Sequence, residues 1–198
     1  MLANRLHAQR PMRRSAGFTM VELMMVVAVI AILTVIAVVG YTRIFRKARS
    51  TEIVEMFGEL KAREEAYHAE KGQYVPACGS ATTAMANSDC AEGDYWPSPI
   101  VGGNEMTSIA PLNIRWQTLG VHINSSGLYC QYEAIAGLAG DSSSMGPVGQ
   151  AMYPGGVAPP RNWYYLMAQC DWDGDPTVNA LYWQRDDQSD LGKSNEMR

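Results

Sequence analysis

Residues 17–41, GFTMVELMMVVAVIAILTVIAVVGY, form one apolar run whose single carboxylate, Glu22, stands near its start. Between Leu23 and Val39 there is no charge, and the only polar side chain is Thr34, whose hydroxyl can bond back to the preceding helical turn. As a helix rising about 1.5 Å per residue, Phe18 to Tyr41 extends about 36 Å, against a bilayer hydrocarbon core of about 30 Å. The run therefore predicts a membrane-spanning helix at about 18–41. It is not a secretory signal, whose apolar region is about 7–15 residues long and ends at a small-residue cleavage site. Val39-Gly40-Tyr41-Thr42-Arg43 offers no such site.

A carboxylate in the apolar part of a bilayer costs about 2.5–3.5 kcal/mol near the centre and less toward an end, so Glu22 requires a use. Ahead of it stand the basic stretch Met12-Arg13-Arg14-Ser15-Ala16-Gly17 and then Phe18-Thr19-Met20-Val21-Glu22. This arrangement resembles the type III signal of the type IV pilin family. The resemblance implies that a prepilin peptidase cuts after Gly17 on the cytoplasmic side and that Phe18 becomes the N-methylated terminus. Glu22, the fifth residue of the mature chain, would then neutralise the Phe18 amine of a neighbouring subunit where little water weakens the attraction. It implies as partners copies of the chain and other pilins, the peptidase and the inner-membrane pilus assembly machinery. The precursor would sit in the inner membrane with its head in the periplasm, and the mature subunit in an extracellular filament. The nearest alternative is a pseudopilin of a type II secretion system. An alternative from another class, a membrane-anchored binding domain or enzyme, would keep residues 1–17. Many relatives have a proline at the position of Val39 and a glycine near Ala31; this chain has neither, and Gly40 is the one helix-weakening residue there.

The chain has 198 residues and a formal charge of −4; losing the leader's Arg5, Arg10, Arg13 and Arg14 makes it −8. That balance argues against nucleic-acid binding. The leader's arginines suit the cytoplasm, but Arg43, Arg46, Lys47 and Arg49 tie the count beyond the span. Cys78, Cys90, Cys130 and Cys170 break the tie, because a domain holding paired cysteines is expected outside the cytoplasm.

Beyond the span, Ile53, Met56, Phe57, Leu60 and Tyr67 recur at spacings of three and four, with Glu52, Glu55, Glu59, Arg63 and Glu70 on other faces. The helix is expected to continue from 18 to 71, stopping at Lys71-Gly72. Residues 72–112 are rich in Gly and Pro and read as a loop. Residues 113–198 read as a head whose strands, at 114–119, 128–136, 163–170 and 178–184, form a four-stranded antiparallel sheet packed on the helix. The fold class is α+β.

Alternation puts Leu128, Cys130, Tyr132 and Ala134 on one side of the second strand, and Tyr164, Leu166, Ala168 and Cys170 on one side of the third. Among the three possible pairings, this pattern favours Cys78–Cys90 with Cys130–Cys170. Residues 137–160, full of Gly, Ser and Pro, read as a mobile surface loop.

Asp171, Asp173 and Asp175 alternate as hard oxygen donors of the sort calcium takes. Pro176 and Tyr182 stand where an EF-hand needs glycine and glutamate, and Asp and Gly are also ordinary turn residues. Some pilins and pseudopilins bind calcium in this region. His7, His68 and His122 lie in no catalytic motif, and no nucleophile or phosphate-loop signature is present, so no enzymatic activity is expected.

Overall fold

Side chains three and four residues apart share one side of a helix, so the stripe at Ile53, Met56, Phe57 and Leu60 requires a partner surface. The computed structural model describes residues 17–81, 90–103, 105–172, 174 and 179–194. In it α1 runs Met20–Lys71, and the chain divides into two compact units, Met1–Phe45 and Arg46–Arg198.

In the first unit α1 carries the apolar run Met20–Val38, of mean hydropathy 2.8, with none of it buried. Leu23, Ile30, Leu33 and Ile36 are all more than half exposed. Thr34 donates its hydroxyl to the Ile30 carbonyl at 2.7 Å, which leaves no unmet polar side chain in the middle of the run.

The second unit is α+β. After α1 come β1 (Thr107–Ser108), α2 (Ile114–Leu119), β2 (Gly127–Leu128), β3 (Cys130–Gly137), α3 (Pro147–Met152), a 3₁₀ turn (Pro154–Gly156), β4 (Trp163–Cys170), β5 (Ala180–Arg185) and β6 (Gly192–Ser194). Strands β3-β4-β5-β6 form an antiparallel four-stranded sheet in that order, and β1 pairs with β2. One face of the large sheet, with Tyr132, Ala134, Leu166, Ala168 and Tyr182, packs on Ile53, Met56, Phe57 and Leu60 of α1. Polar ties fix the docking. Glu52 accepts from the Tyr132 hydroxyl at 2.8 Å and from the Tyr129 and Cys130 N–H groups at 3.2 Å. Arg49 donates to the Gly103 carbonyl at 2.7 Å and lies over the Tyr129 ring.

The opposite face of the sheet is covered too. Ile135, Trp163, Tyr165 and Met167 pack with Cys78, Cys90, Met145 and Tyr153, so β3 is buried along its whole length. This corrects the reading of 137–160 as a mobile loop. The segment contains α3, and Glu92 accepts from the Val148 and Gly149 N–H groups of that helix and from the Tyr165 hydroxyl. Those bonds satisfy helix-start donors that the Gly- and Pro-rich sequence cannot cap itself.

The strand expected at 114–119 is a helix, α2. The Asn113 side chain accepts from the Arg115 N–H at its start, Gly120 ends it in the left-handed region at φ 67°, and Trp116 and Leu119 are buried three residues apart. Caps and helical spacing outweigh its aromatic and β-branched content. Leu128, expected to begin the next strand, pairs with Thr107 instead. Val178, expected to begin the last, lies outside the described residues, and β6 joins the sheet unforeseen.

Cys78 is bonded to Cys90 and Cys130 to Cys170. Cys130 and Cys170 stand directly opposite in the β3–β4 register, with their Cα atoms 4.4 Å apart, and close a separation of 40 residues. Replacing both with alanine is expected to remove about 2–5 kcal/mol of stability. Urea unfolding followed by tryptophan fluorescence checks it, and an unchanged midpoint would contradict it.

Among the carboxylates buried in this unit are Glu64 and Glu133. Glu64 on α1 accepts from the Val75 N–H at 2.9 Å through one oxygen, while the other has no hydrogen-bond partner. Burial pushes Glu64 up to about 8, with neighbouring Glu65 adding to the rise. Glu133 on β3 accepts from the Gly93 N–H, and burial likewise pushes it up to about 8. Both groups bind protons more tightly when folded. Their contribution is therefore full below the ordinary carboxylate value of 4.5 and is lost as pH rises through about 8. Glu64→Gln is expected to flatten this fall and to raise the thermal midpoint most at the alkaline end. A pH profile identical to that of the parent chain would refute it.

Candidate functional site

An apolar helix of this length needs a defined start, because its first N–H groups have no partners within the helix. Thr19 and Glu22 provide it. The Glu22 N–H donates to Thr19 Oγ1 at 3.2 Å, and the Thr19 N–H and hydroxyl donate back to Glu22 Oε2 at 3.1 and 2.9 Å. This is a reciprocal capping box, a threonine followed three residues later by a glutamate that reaches back. The acidic group also sits at the positive end of the helix dipole. Sequence reasoning missed the box, although Thr19-Met20-Val21-Glu22 ahead of an apolar run is its signature. Two of the three bonds end on one oxygen of Glu22, Oε2, and the third on Thr19 Oγ1. Among the described residues Oε1 has no partner, so it remains open to a further donor.

Gly17, Phe18 and Thr19 precede the helix in non-helical, exposed backbone, and Phe18 is 81% exposed. A Cβ built on Gly17 would meet nothing within 4 Å. The fold described here therefore places no demand for glycine at that position. Any such demand arises from whatever reads the Gly17–Phe18 peptide, and that peptide is free to lie extended in another protein's cleft. Residues 1–16 lie outside the described residues.

The other candidates stand in the second unit. Asp171 is buried at 4% exposure, and its Oδ1 accepts from the Gly174 N–H at 2.7 Å, while its carbonyl accepts from Gly103 N–H. Asp173 and Asp175, the other two carboxylates of the calcium reading, lie outside the described residues. Among the described residues no group of three or more His, Cys, Asp or Glu side chains is placed to hold a metal. His68 stacks on Tyr74 with ring centroids 4.3 Å apart, and His122 donates its backbone N–H to Glu59.

Residues 12–38 match a family model described as the prokaryotic N-terminal methylation motif. Comparison with curated proteins and with solved structures gives no match. The chain thus carries the signal of a type IV pilin-like or pseudopilin prepilin, a structural rather than catalytic class. Such a signal implies processing by a peptidase and assembly into pilus-like multimers, and the exposed apolar helix fits membrane insertion.

Proposed function

We propose that this chain is the precursor of a structural subunit of a type IV pilus-like filament, serving motility, adhesion or surface interaction. The observation that carries the reading is the join at Glu22. A methylation motif with glycine at 17 and phenylalanine at 18 leads directly into a capped helix whose apolar side chains have no cover within their own unit. In this reading residues 1–17 are the cytoplasmic leader, residues 18–71 the helix, residues 72–112 the connecting stretch and residues 113–198 the head. A peptidase cuts after Gly17, Phe18 is methylated, and Glu22 meets the new amine of a neighbouring subunit. The apolar helices then exchange lipid for one another in the filament core. The two disulfides support a head that folds outside the cytoplasm, since such bonds persist in oxidising compartments.

The aspartate turn 171–175 favours a second reading, a pseudopilin with a short periplasmic filament. Shearing separates the two. Fibres sheared from intact cells are expected to contain the processed chain. Its confinement to short periplasmic structures would select the pseudopilin, and an unprocessed chain found only in membranes would overturn both.

A further inference from the structure

Between α3 and the outer end of the sheet lies an open groove of about 560 Å³, within the range typical of small-molecule sites, about 300–1,000 Å³. Its floor is Trp183 on β5. The register sets Trp183 opposite Gly192 on the edge strand β6, and a Cβ on Gly192 would clash with the indole at its Nε1. Glycine there lets the ring lie down over β6. The indole is only partly buried, with one side packed against the Trp163, Tyr165 and Met167 cluster. Val148 and Met152 of α3 and Leu191 wall the remainder.

The rim is polar and held in place. Lys61 donates to the Gln188 carbonyl at 2.7 Å, and Gln184 donates to the Ser189 carbonyl at 2.7 Å, which pins the β5–β6 turn. That turn and the strand after it present the Gln188 amide, the Asp190 carboxylate and the Ser194 hydroxyl to the groove, and among the described residues none of these side-chain groups has a hydrogen-bond partner. Arg185 also borders the groove, but its guanidinium is engaged by Asp187, by the Met152 carbonyl and by the Tyr153 ring. Among the described residues lining the groove, the charge left over is therefore the negative one of Asp190, which disfavours phosphates and carboxylates.

A flat aromatic floor beside polar side chains on a pinned turn suits a neutral ring that is apolar on one face and carries hydroxyls at its edge. We propose that the groove binds a saccharide residue, its pyranose ring stacked on Trp183 and its hydroxyls bonded to Asp190, Gln188 and Ser194. The C–H bonds on one side of such a ring pack on the indole face, and the hydroxyls replace water on the rim groups. This inference is independent of the filament reading.

The test uses the full chain in a polyoxyethylene ether detergent, which has no sugar headgroup, and saturation-transfer NMR with a panel of methyl pyranosides. At least one glycoside is expected to receive saturation on the protons of one ring face, with a dissociation constant of about 1 mM. Trp183→Ala should abolish the signal. Because Trp183 also packs on the core, Asp190→Ala, an exposed change, is measured beside it and should weaken binding about tenfold with an unchanged thermal midpoint. The proposal is overturned if no glycoside receives saturation, or if binding survives Asp190→Ala undiminished. Displacement of the glycoside by tetramethylammonium at equal concentration would also overturn it, since that outcome marks a cation site.

Discussion

Glu22→Ala in the sole copy of the subunit is expected to leave leader cleavage and membrane insertion intact and to abolish sheared filaments. Removing a charge from the lipid-facing start of α1 makes insertion easier, not harder. In the proposed reading what is lost is the partner of the amine that cleavage creates on Phe18, and a buried charge stripped of its partner typically costs about 3–5 kcal/mol. That loss recurs at every subunit added. Phe18 stands two residues before α1 and Glu22 lies in its first turn, so in the proposed reading a small axial stagger between packed helices brings one carboxylate to the next amine. The capping box complicates the variant, because alanine also removes the two bonds that Thr19 donates to the Glu22 carboxylate. Glu22→Gln separates the two effects. Glutamine retains an oxygen that can accept from Thr19 but carries no charge, and it too is expected to yield no filaments. Normal filaments from Glu22→Ala would remove the assembly role. Normal filaments from Glu22→Gln alone would assign the effect to the cap.

Gly17→Val is expected to leave the full-length precursor in the membrane, retaining its leader, with no free Phe18 and hence no filaments. The parent chain should show a mature terminus at N-methylated Phe18. At Gly17 an added Cβ meets nothing within 4 Å. A branched residue there strains nothing in the described chain, so the block acts on recognition of the peptide by the peptidase and not on folding. Mass spectrometry of the membrane fraction checks both arms. A processed terminus in Gly17→Val cells, or an intact Met1 in parent cells with an active prepilin peptidase, would end the pilin reading.

The parts legible in the sequence are those whose physics is local. The apolar run shows itself by length and absence of charge, because a membrane helix satisfies its backbone within its own turns. The stripe at Ile53, Met56, Phe57 and Leu60 shows itself by period, and the outward and inward faces of β3 and β4 by alternation. The α+β class with a four-stranded antiparallel sheet follows from these patterns together. The capping box was equally local, in Thr19 and Glu22, and went unread.

Other features depend on what lies across the fold. Residues 114–119 form a helix because Asn113 and Gly120 cap it and its buried Trp116 and Leu119 find the core, so composition alone misplaced them. Segment 137–160 covers the sheet because Glu92, some fifty residues earlier in the chain, supplies the acceptors that α3 lacks. Strand β6, Gly-Lys-Ser, has no strand propensity and exists because β5 offers it an edge. The proposed site is of this kind as well, since Trp183 becomes a floor only when pairing sets it over Gly192. The apolar run, its signal and the periodic faces are each written in neighbouring residues. Which polar groups are satisfied, which carboxylates are buried and which surfaces remain open depends on contacts between residues far apart in the chain, brought together only by folding.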